Sequence, residues 1–431
     1  LRILYLNPSG SLGGAERALL DLIDAVRKLR PGWALDLIAG GAGDFPDAVR
    51  TLGVNVDVMP FPPSFSRVGD AGAGGPAGNG VSGSAALTRL SLSAPQVAAY
   101  VWKLRGVIAE RQPDVIHSNG FKTHMLAAWT APRKSRVIWH VHDYVGARPL
   151  MSRLMRAHAG RCEMAIANSH SVARDLDAVC QGRLKIRTIH NAVDLKRFNP
   201  EGPALDLDAL CGLPAAPAGT MRVGLVATMA RWKGHDVFLQ AMSLLNKKVI
   251  WPVGRASLPA IRGYIIGGPI YATLGSQHTI AELAERARQL RIEKNIGFTG
   301  YVKDVAAAMR ALDIVVHAST QPEPFGLAVA EAMACGKPVI TSDAGGVSEI
   351  IRDNETALSH TPGDAEALAG CIKRLASAPD LRRQLATQAR RDAEARFDKE
   401  RLGRAALTVY AAPAFRLVNS GTGIPAVVDW S

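Results

Sequence analysis

No run of about 18 apolar, uncharged residues occurs anywhere in this sequence, so no membrane-spanning helix is expected. The opening residues LRILYLN read as a buried strand. They lack the charged n-region and apolar h-region of a secretory signal. Cysteine is scarce: Cys162, Cys180, Cys211, Cys335 and Cys371 lie scattered, with no CxxC pair. An odd count without a framework excludes a disulfide scaffold and points to reduced thiols in the cytoplasm. No RNP, zinc-finger or aromatic-interleaved basic motif is present, so nucleic acid is not an expected partner. The first strand-to-helix turn lacks GxGxxG, and no acidic residue ends the second strand, which argues against a dehydrogenase. Two DxD strings, Asp175-Leu176-Asp177 and Asp206-Leu207-Asp208, fall in helix-like or linker contexts. No metal and no cofactor are therefore expected.

What is there is ordinary in bulk but biased in sign. The 431 residues are 48% hydrophobic and 21% charged, with a net charge of +13. The length suits two domains. The charge suits phosphorylated substrates or contact with an anionic membrane surface, and equally a generally basic exterior.

Short Val/Ile-rich runs alternate with amphipathic stretches. RILYLN (2–7), ALDLIAGG (34–41), VNVDVMPF (54–61), DVIHSNG (114–120), RVIWHVHD (136–143) and MAIANS (164–169) read as strands. GGAERALLDLIDAVRKL (13–29) has helical apolar spacing. The series restarts after a Pro/Gly/Ala-rich linker near 198–220. RVGLVAT (222–228), RGYIIGG (262–268), IGFTGYV (296–302), DIVVHAS (313–319) and KPVITSD (337–343) are strands there. HDVFLQAMSLLNK (235–247) and TIAELAERARQLRI (279–292) are helices, the second capped by Thr279 or Ser276. The expected fold class is therefore α/β, with two tandem Rossmann-like domains and an interdomain cleft that takes ligands at the carboxyl ends of parallel strands. The expected divisions are 1–197, 198–400, a helix at 401–415 returning to the first domain, and a loose tail at 416–431. The Gly/Ala/Ser-rich residues 64–95 read as a flexible loop, either a passive insertion or a lid.

Three segments carry candidate chemistry. The first turn, Asn7 to Glu16, holds Gly13 and Gly14 at a helix start, where backbone can approach an anion closely. A turn serving packing alone is the alternative. Arg231, Trp232, Lys233 and Gly234 follow a strand of the second domain, and their cations suit a diphosphate, although a solvated basic turn would look the same. Glu323 sits between two prolines, so a helix begins only near Gly326. That helix carries Glu331 among alanines, where a buried carboxylate needs donors such as a sugar diol. Glu323 is expected at the mouth of the site. The plainer alternative is a surface turn and a helix-dipole partner.

At these residues the sequence resembles the retaining glycosyltransferases of the GT-B fold, in the large family 4 group. E-P-F-G-L-A-V-A-E (323–331) resembles that family's Glu-x7-Glu signature. GGAER (13–17) resembles its N-terminal glycine loop, and IHNAVDLKRF (189–198) its Asn-Gly-Val-Asp-x-x-x-Phe segment, with Ala192 in the glycine's place. RWKGHD (231–236) and AGGVSEII (344–351) resemble its phosphate motif and its Gly-Gly-x-x-Glu ending. Two departures stand out. The family's arginine five residues before the lysine is Thr228 here, so Arg231 is the substitute candidate. Leu327 stands where some relatives carry Arg.

The resemblance implies a nucleotide sugar as donor, UDP- favoured over GDP-, bound mainly by the second domain. Glu331 would hold the ribose, and Arg231 and Lys233 the diphosphate. Glu323 with the backbone of Phe325, Gly326 and Leu327 would hold the donor sugar. Gly13 and Gly14 would meet phosphate or sugar, and His142 would sit near the anomeric centre. Glu323 and His142 are the catalytic candidates. His117 and Asn119 are acceptor-side candidates, and Tyr301, Val302 and Lys303 would meet the base. The chemistry would be metal-independent front-face retention onto an acceptor hydroxyl of a glycan, lipid-linked molecule or small molecule. A cytoplasmic protein, able to rest on the inner face of a membrane, is expected. The competing readings are a non-hydrolysing nucleotide-sugar epimerase and a non-catalytic nucleotide- or sugar-binding protein.

Overall fold

A computed structural model describes residues 1–62, 83–246, 259–269 and 277–411. The chain divides into two compact units, Leu1–Ala192 rejoined from Lys399 onward, and Val193–Asp398. The crossings fall a few residues before the linker positions suggested by composition.

The first unit is built on strands β1 (Arg2–Asn7), β2 (Ala34–Ala39), β3 (Asn55–Val58), β4 (Val115–Asn119), β5 (Arg136–Val141), β6 (Met164–Ala167) and β7 (Ile186–Thr188). They form one sheet in the order β3-β2-β1-β4-β5-β6-β7. Every pairing is parallel. Parallel strands are covered on both faces, which is why β1 and β5 are buried along nearly their whole length. Helix α1 (Gly14–Leu29) turns Ala18, Leu19, Leu22, Ile23, Ala25 and Val26 inward, and stops just before Pro31, which disfavours helix in the residue ahead of it. Helices α2 (Asp44–Arg50), α3 (Gly83–Arg111), α4 (Phe121–Thr130), α5 (Pro149–His158) and α6 (His170–Cys180) complete the crossovers.

One expectation is corrected here. Residues 83–95, read as the end of a flexible loop, are the first half of α3. The glycines and serines obscured the Ala, Leu and Arg of SAALTRLSLSA, which are good or neutral helix formers. Residues 64–82 lie outside the described residues, as does the expected tail at 416–431.

The second unit has β8 (Met221–Val226), β9 (Ile261–Ile266), β10 (Ile296–Gly300), β11 (Ile314–His317), β12 (Val339–Ser342) and β13 (Leu358–His360). They form a parallel sheet in the order β10-β9-β8-β11-β12-β13. Around it lie α7 (Leu207–Leu210), α8 (His235–Asn246), α9 (Ile280–Gln289), α10 (Val305–Arg310), α11 (Leu327–Ala334), α12 (Val347–Ile350), α13 (Ala365–Ser377) and α14 (Pro379–Arg396). Thr279 caps α9 in a reciprocal capping box with Glu282. The last described helix, α15 (Lys399–Tyr410), packs on α1 of the first unit. There Leu402, Ala406, Val409 and Tyr410 join the core of β1, β2 and α1.

The two strand orders are the same in kind. Each sheet reverses its winding between two neighbouring strands, β1 and β4 in the first unit and β8 and β11 in the second. Loops at the carboxyl ends of such a pair diverge and leave a crevice, where open α/β sheets bind ligands. Among the described residues, no helix is long and apolar enough to cross a membrane.

Candidate functional site

In the second unit, the reversal point is occupied by an ion pair. Lys233 ends a short 3-10 turn, Arg231–Lys233, after β8. Its Nζ donates to Glu323 Oε2 at 2.6 Å and lies 4.1 Å from the centre of the Trp232 ring. Gly234 closes the turn with φ of +74°, and a Cβ there would lie 1.8 Å from the Ala318 carbonyl oxygen. Only glycine lets the lysine turn lie against the end of β11.

Glu323 is buried rather than at an open mouth. Ser319 Oγ donates to its Oε2 at 3.1 Å, and His317 Nε2 lies 3.2 Å away. His317 Nδ1 in turn meets Thr341 Oγ1 at 2.9 Å. Burial pushes the Glu323 carboxyl up, but the Lys233 ammonium and the His317 hydrogen bond outweigh it and hold the group well below the usual carboxylate range. Its backbone is pinned as well: Glu323 N donates to Ala344 O, and Gly346 N donates to Glu323 O. The AGGVSEII segment is thus what holds the glutamate in place. Prolines on either side of Glu323 prevent the alternative of an early helix.

Gly326, at φ of +94°, turns the chain into α11, and Val347 would crowd any Cβ added there. Phe325 anchors the turn edge-on against Phe397 at 5.9 Å. Leu327 opens the helix, and Glu331 lies buried about one turn further in. The same geometry brings Lys233, Glu323, Phe325, Gly326 and Leu327 together. Arg231 points elsewhere: its guanidinium binds Glu282 at 3.0 Å and His278 at 3.2 Å. Tyr301 is exposed beside Gly268, and the Lys303 carbonyl accepts from Arg197.

In the first unit, Asn7 ends β1 and Asn119 ends β4, so the pair spans the other reversal point. Asn119 Nδ2 donates to Asn7 Oδ1 at 2.7 Å, and His142 Nε2 meets Asn119 Oδ1 at 2.6 Å. Burial pushes the His142 imidazole down to about 3, so it is neutral at pH 7. His117 is wholly buried, its two ring nitrogens against His140 and the Tyr410 hydroxyl. Gly13 precedes α1 in extended backbone, close under the Glu16 carboxylate, whereas Gly14 has open space around it.

The DxD strings serve the fold. Asp175 accepts from Val145 N and Gly146 N. Asp206 caps α7, and Asp208 pairs with Arg262 and Arg222. All five cysteines are free thiols. Sequence reasoning missed Asn7, His317, Ser319 and Tyr410. Asn7 and His317 carried a signal, as polar residues at the carboxyl end of otherwise apolar strands.

Two family models match in tandem. "Glycosyltransferase Family 4" matches residues 12–197 and "Glycosyl transferases group 1" matches residues 215–392. Between them they take in the glycine loop, His142, the lysine turn and both glutamates. The chain belongs to the family 4 glycosyltransferases.

Among curated relatives, D-inositol 3-phosphate glycosyltransferase of Rhodococcus erythropolis is 31% identical over 56% of this chain and 51% of its own length. The chain thus spans about half the length of that curated relative. N-acetyl-alpha-D-glucosaminyl L-malate synthase of Bacillus anthracis is 23% identical over 73% of this chain and 79% of its own. Among solved structures, Anabaena HepE in complex with UDP-glucose superposes with a TM-score of 0.74 at 24% identity, over 96% of this chain and 100% of that one. This last likeness carries the fold, two parallel-sheet α/β domains of the GT-B class.

Proposed function

We propose that this family 4 protein is a retaining, metal-independent glycosyltransferase of the hexosyl type, moving a sugar from a nucleotide diphosphate sugar to an acceptor hydroxyl. The observation that carries the reading is the Lys233–Glu323 pair at the reversal point of the second sheet, directly ahead of the helix bearing Glu331. A cation, the start of a helix and two carboxylates are the groups that a diphosphate, a sugar and a ribose need at one strand edge.

In this reading Lys233 neutralises the leaving diphosphate, a role in which fixed cations stabilise developing charge. Arg231 would join it after exchanging Glu282 for phosphate. Glu323 and the backbone of Phe325, Gly326 and Leu327 hold the sugar, and Glu331 the ribose. The first unit contributes Gly13, Gly14 and His142 to donor contacts and Asn119 to the side that receives the acceptor. His117, wholly buried with both ring nitrogens held by His140 and Tyr410, is a core residue and not an acceptor contact. His142, neutral at pH 7, acts as a hydrogen-bonding group rather than as an acid. With Glu323 held as an anion by Lys233, the acceptor proton goes to the departing phosphate. UDP is favoured as the nucleotide because HepE is known in complex with UDP-glucose. The acceptor is a glycan, a lipid-linked molecule or a small molecule, and the net positive charge suits one that is phosphorylated or membrane-borne.

The test is a thermal-shift panel with UDP, GDP, ADP and NAD, with and without EDTA, followed by NMR of the product anomer. A ligand at 100 times its Kd raises native-state stability by about 2.7 kcal/mol. A shift with UDP that EDTA does not change, with the donor's anomer retained in the product, is expected. Loss of the shift in EDTA would remove the metal-independent part, and an inverted anomer the retaining part. Nucleotide binding without transfer to any acceptor would favour a binding protein, and isomerisation of the UDP-sugar alone an epimerase.

A further inference from the structure

At the reversal point of the first sheet, four residues form a hydrogen-bond chain whose direction is set at one end. Asn7 Nδ2 lies 2.7 Å from the Ser9 carbonyl oxygen and 3.5 Å from Glu16 Oε1. A backbone carbonyl only accepts, so the Asn7 NH2 must face Ser9 and its oxygen must face away. That oxygen meets the Asn119 side chain at 2.7 Å, which must therefore present its NH2 there. The Ala15 carbonyl, 3.5 Å from the same Asn119 nitrogen, requires the same orientation. Asn119 Oδ1 is then left facing His142 Nε2 at 2.6 Å and can only accept. The proton of the neutral ring is forced onto Nε2. Nδ1 keeps its lone pair and is buried with no hydrogen-bond partner among the described residues, beside the His140 ring at a centroid distance of 4.0 Å.

We propose that Asn7 and Asn119 are positioning residues, whose one-way chain from the Ser9 carbonyl holds His142 as the Nε2–H tautomer and ties it to the glycine loop. The loop that begins α1 and the histidine after β5 come from distant parts of the sequence. The β1–β4–β5 pairing brings the two near each other, and the chain then ties their side chains to the tolerance that transfer chemistry needs. The tautomer itself is a property of the folded protein alone. The consequence for turnover rests on the transferase reading.

The experiment uses the full chain labelled with 15N-histidine, with His142 assigned by loss of its signals in His142→Gln. Long-range proton–nitrogen correlation at neutral pH is expected to show Nε2 protonated and Nδ1 bare. Asn119→Leu removes the acceptor and should allow the other tautomer. Asn119→Asp keeps an acceptor for His142 but has no N–H for Asn7, so it should keep the tautomer while releasing the loop. With UDP-glucose as probe and water as the acceptor of the glucosyl group, Asn119→Asp should lower kcat for UDP release by about tenfold to a hundredfold, with UDP affinity unchanged by calorimetry. A wild-type ring protonated on Nδ1, or on both nitrogens, overturns the chain. An Asn119→Asp variant with wild-type kcat overturns the positioning role. If the wild type binds UDP but releases none from any UDP-sugar in water or with a panel of hydroxyl acceptors, the transferase reading fails, and the nitrogen spectra still decide the chain.

Discussion

Replacing Glu323 by Gln keeps the shape of the side chain, removes its charge and turns one acceptor oxygen into an NH2 donor. Three donors converge on Oε2: Lys233 at 2.6 Å, Ser319 at 3.1 Å and His317 at 3.2 Å. Hydrogen bonds to a charged group are worth about 1.5–3 kcal/mol net, and neutral ones about 0.5–1.5 kcal/mol. A stranded buried ion would cost about 3–5 kcal/mol. Lys233 retains 17% side-chain exposure and can turn partly to water, which places the expected loss lower. We expect about 1–3 kcal/mol at pH 7, or a fall of roughly 2–12 °C in the melting of a unit this large.

The pH dependence has a definite sign. The folded carboxyl lies below its ordinary value of 4.5, so the unfolded chain takes up its proton first as pH falls. The stabilisation is complete above the unfolded value and is lost as pH drops through the folded one. The gap between wild type and Glu323→Gln should therefore be full at about pH 7 and narrow steadily from about pH 5 downward. Calorimetric melting of both proteins at about pH 7, 5 and 3 reads this directly. Equal melting temperatures at neutral pH, or a gap that widens on acidification, would refute the argument.

Other outcomes follow from the same geometry. Glu331→Ala should weaken UDP binding by about 1–3 kcal/mol, read by titration calorimetry, while leaving the fold intact by circular dichroism. Gly234→Ala forces a Cβ into the Ala318 carbonyl at a positive φ, and should cost about 1–3 kcal/mol of stability and displace Lys233. Denaturant unfolding together with UDP affinity measures both effects. Thr279→Ala removes the α9 cap and should cost about 1 kcal/mol in the same unfolding assay, without changing UDP binding directly.

Much of the architecture was legible in the residues. Apolar runs of four to six residues ending in Gly, Ser or Asn can hardly be anything but buried parallel strands when helical periodicity separates them. The Glu323-to-Glu331 segment announced a turn and then a buried helix, because its prolines forbid helix at Glu323 and its alanines favour helix beyond Gly326. β7 and β13 escaped notice because three-residue strands carry too little pattern. The start of α3 escaped because glycine and serine masked a helix-forming core.

Partnership was a different matter. Sequence spacing alone determined that a lysine turn and a glutamate turn each follow a strand, 90 residues apart. Only the strand order, with β8 beside β11, brought them to 2.6 Å. The same is true of Asn7 and Asn119, joined because β1 lies beside β4. The sequence places Arg231 beside the lysine as the substitute candidate for a phosphate-binding arginine, yet the fold sets Glu282 of α9 against it. Local sequence determines conformation through steric and hydrogen-bonding rules that act within a few residues. Which charge meets which is decided by packing across the sheet, where a buried carboxylate takes whatever donor the neighbouring strand delivers.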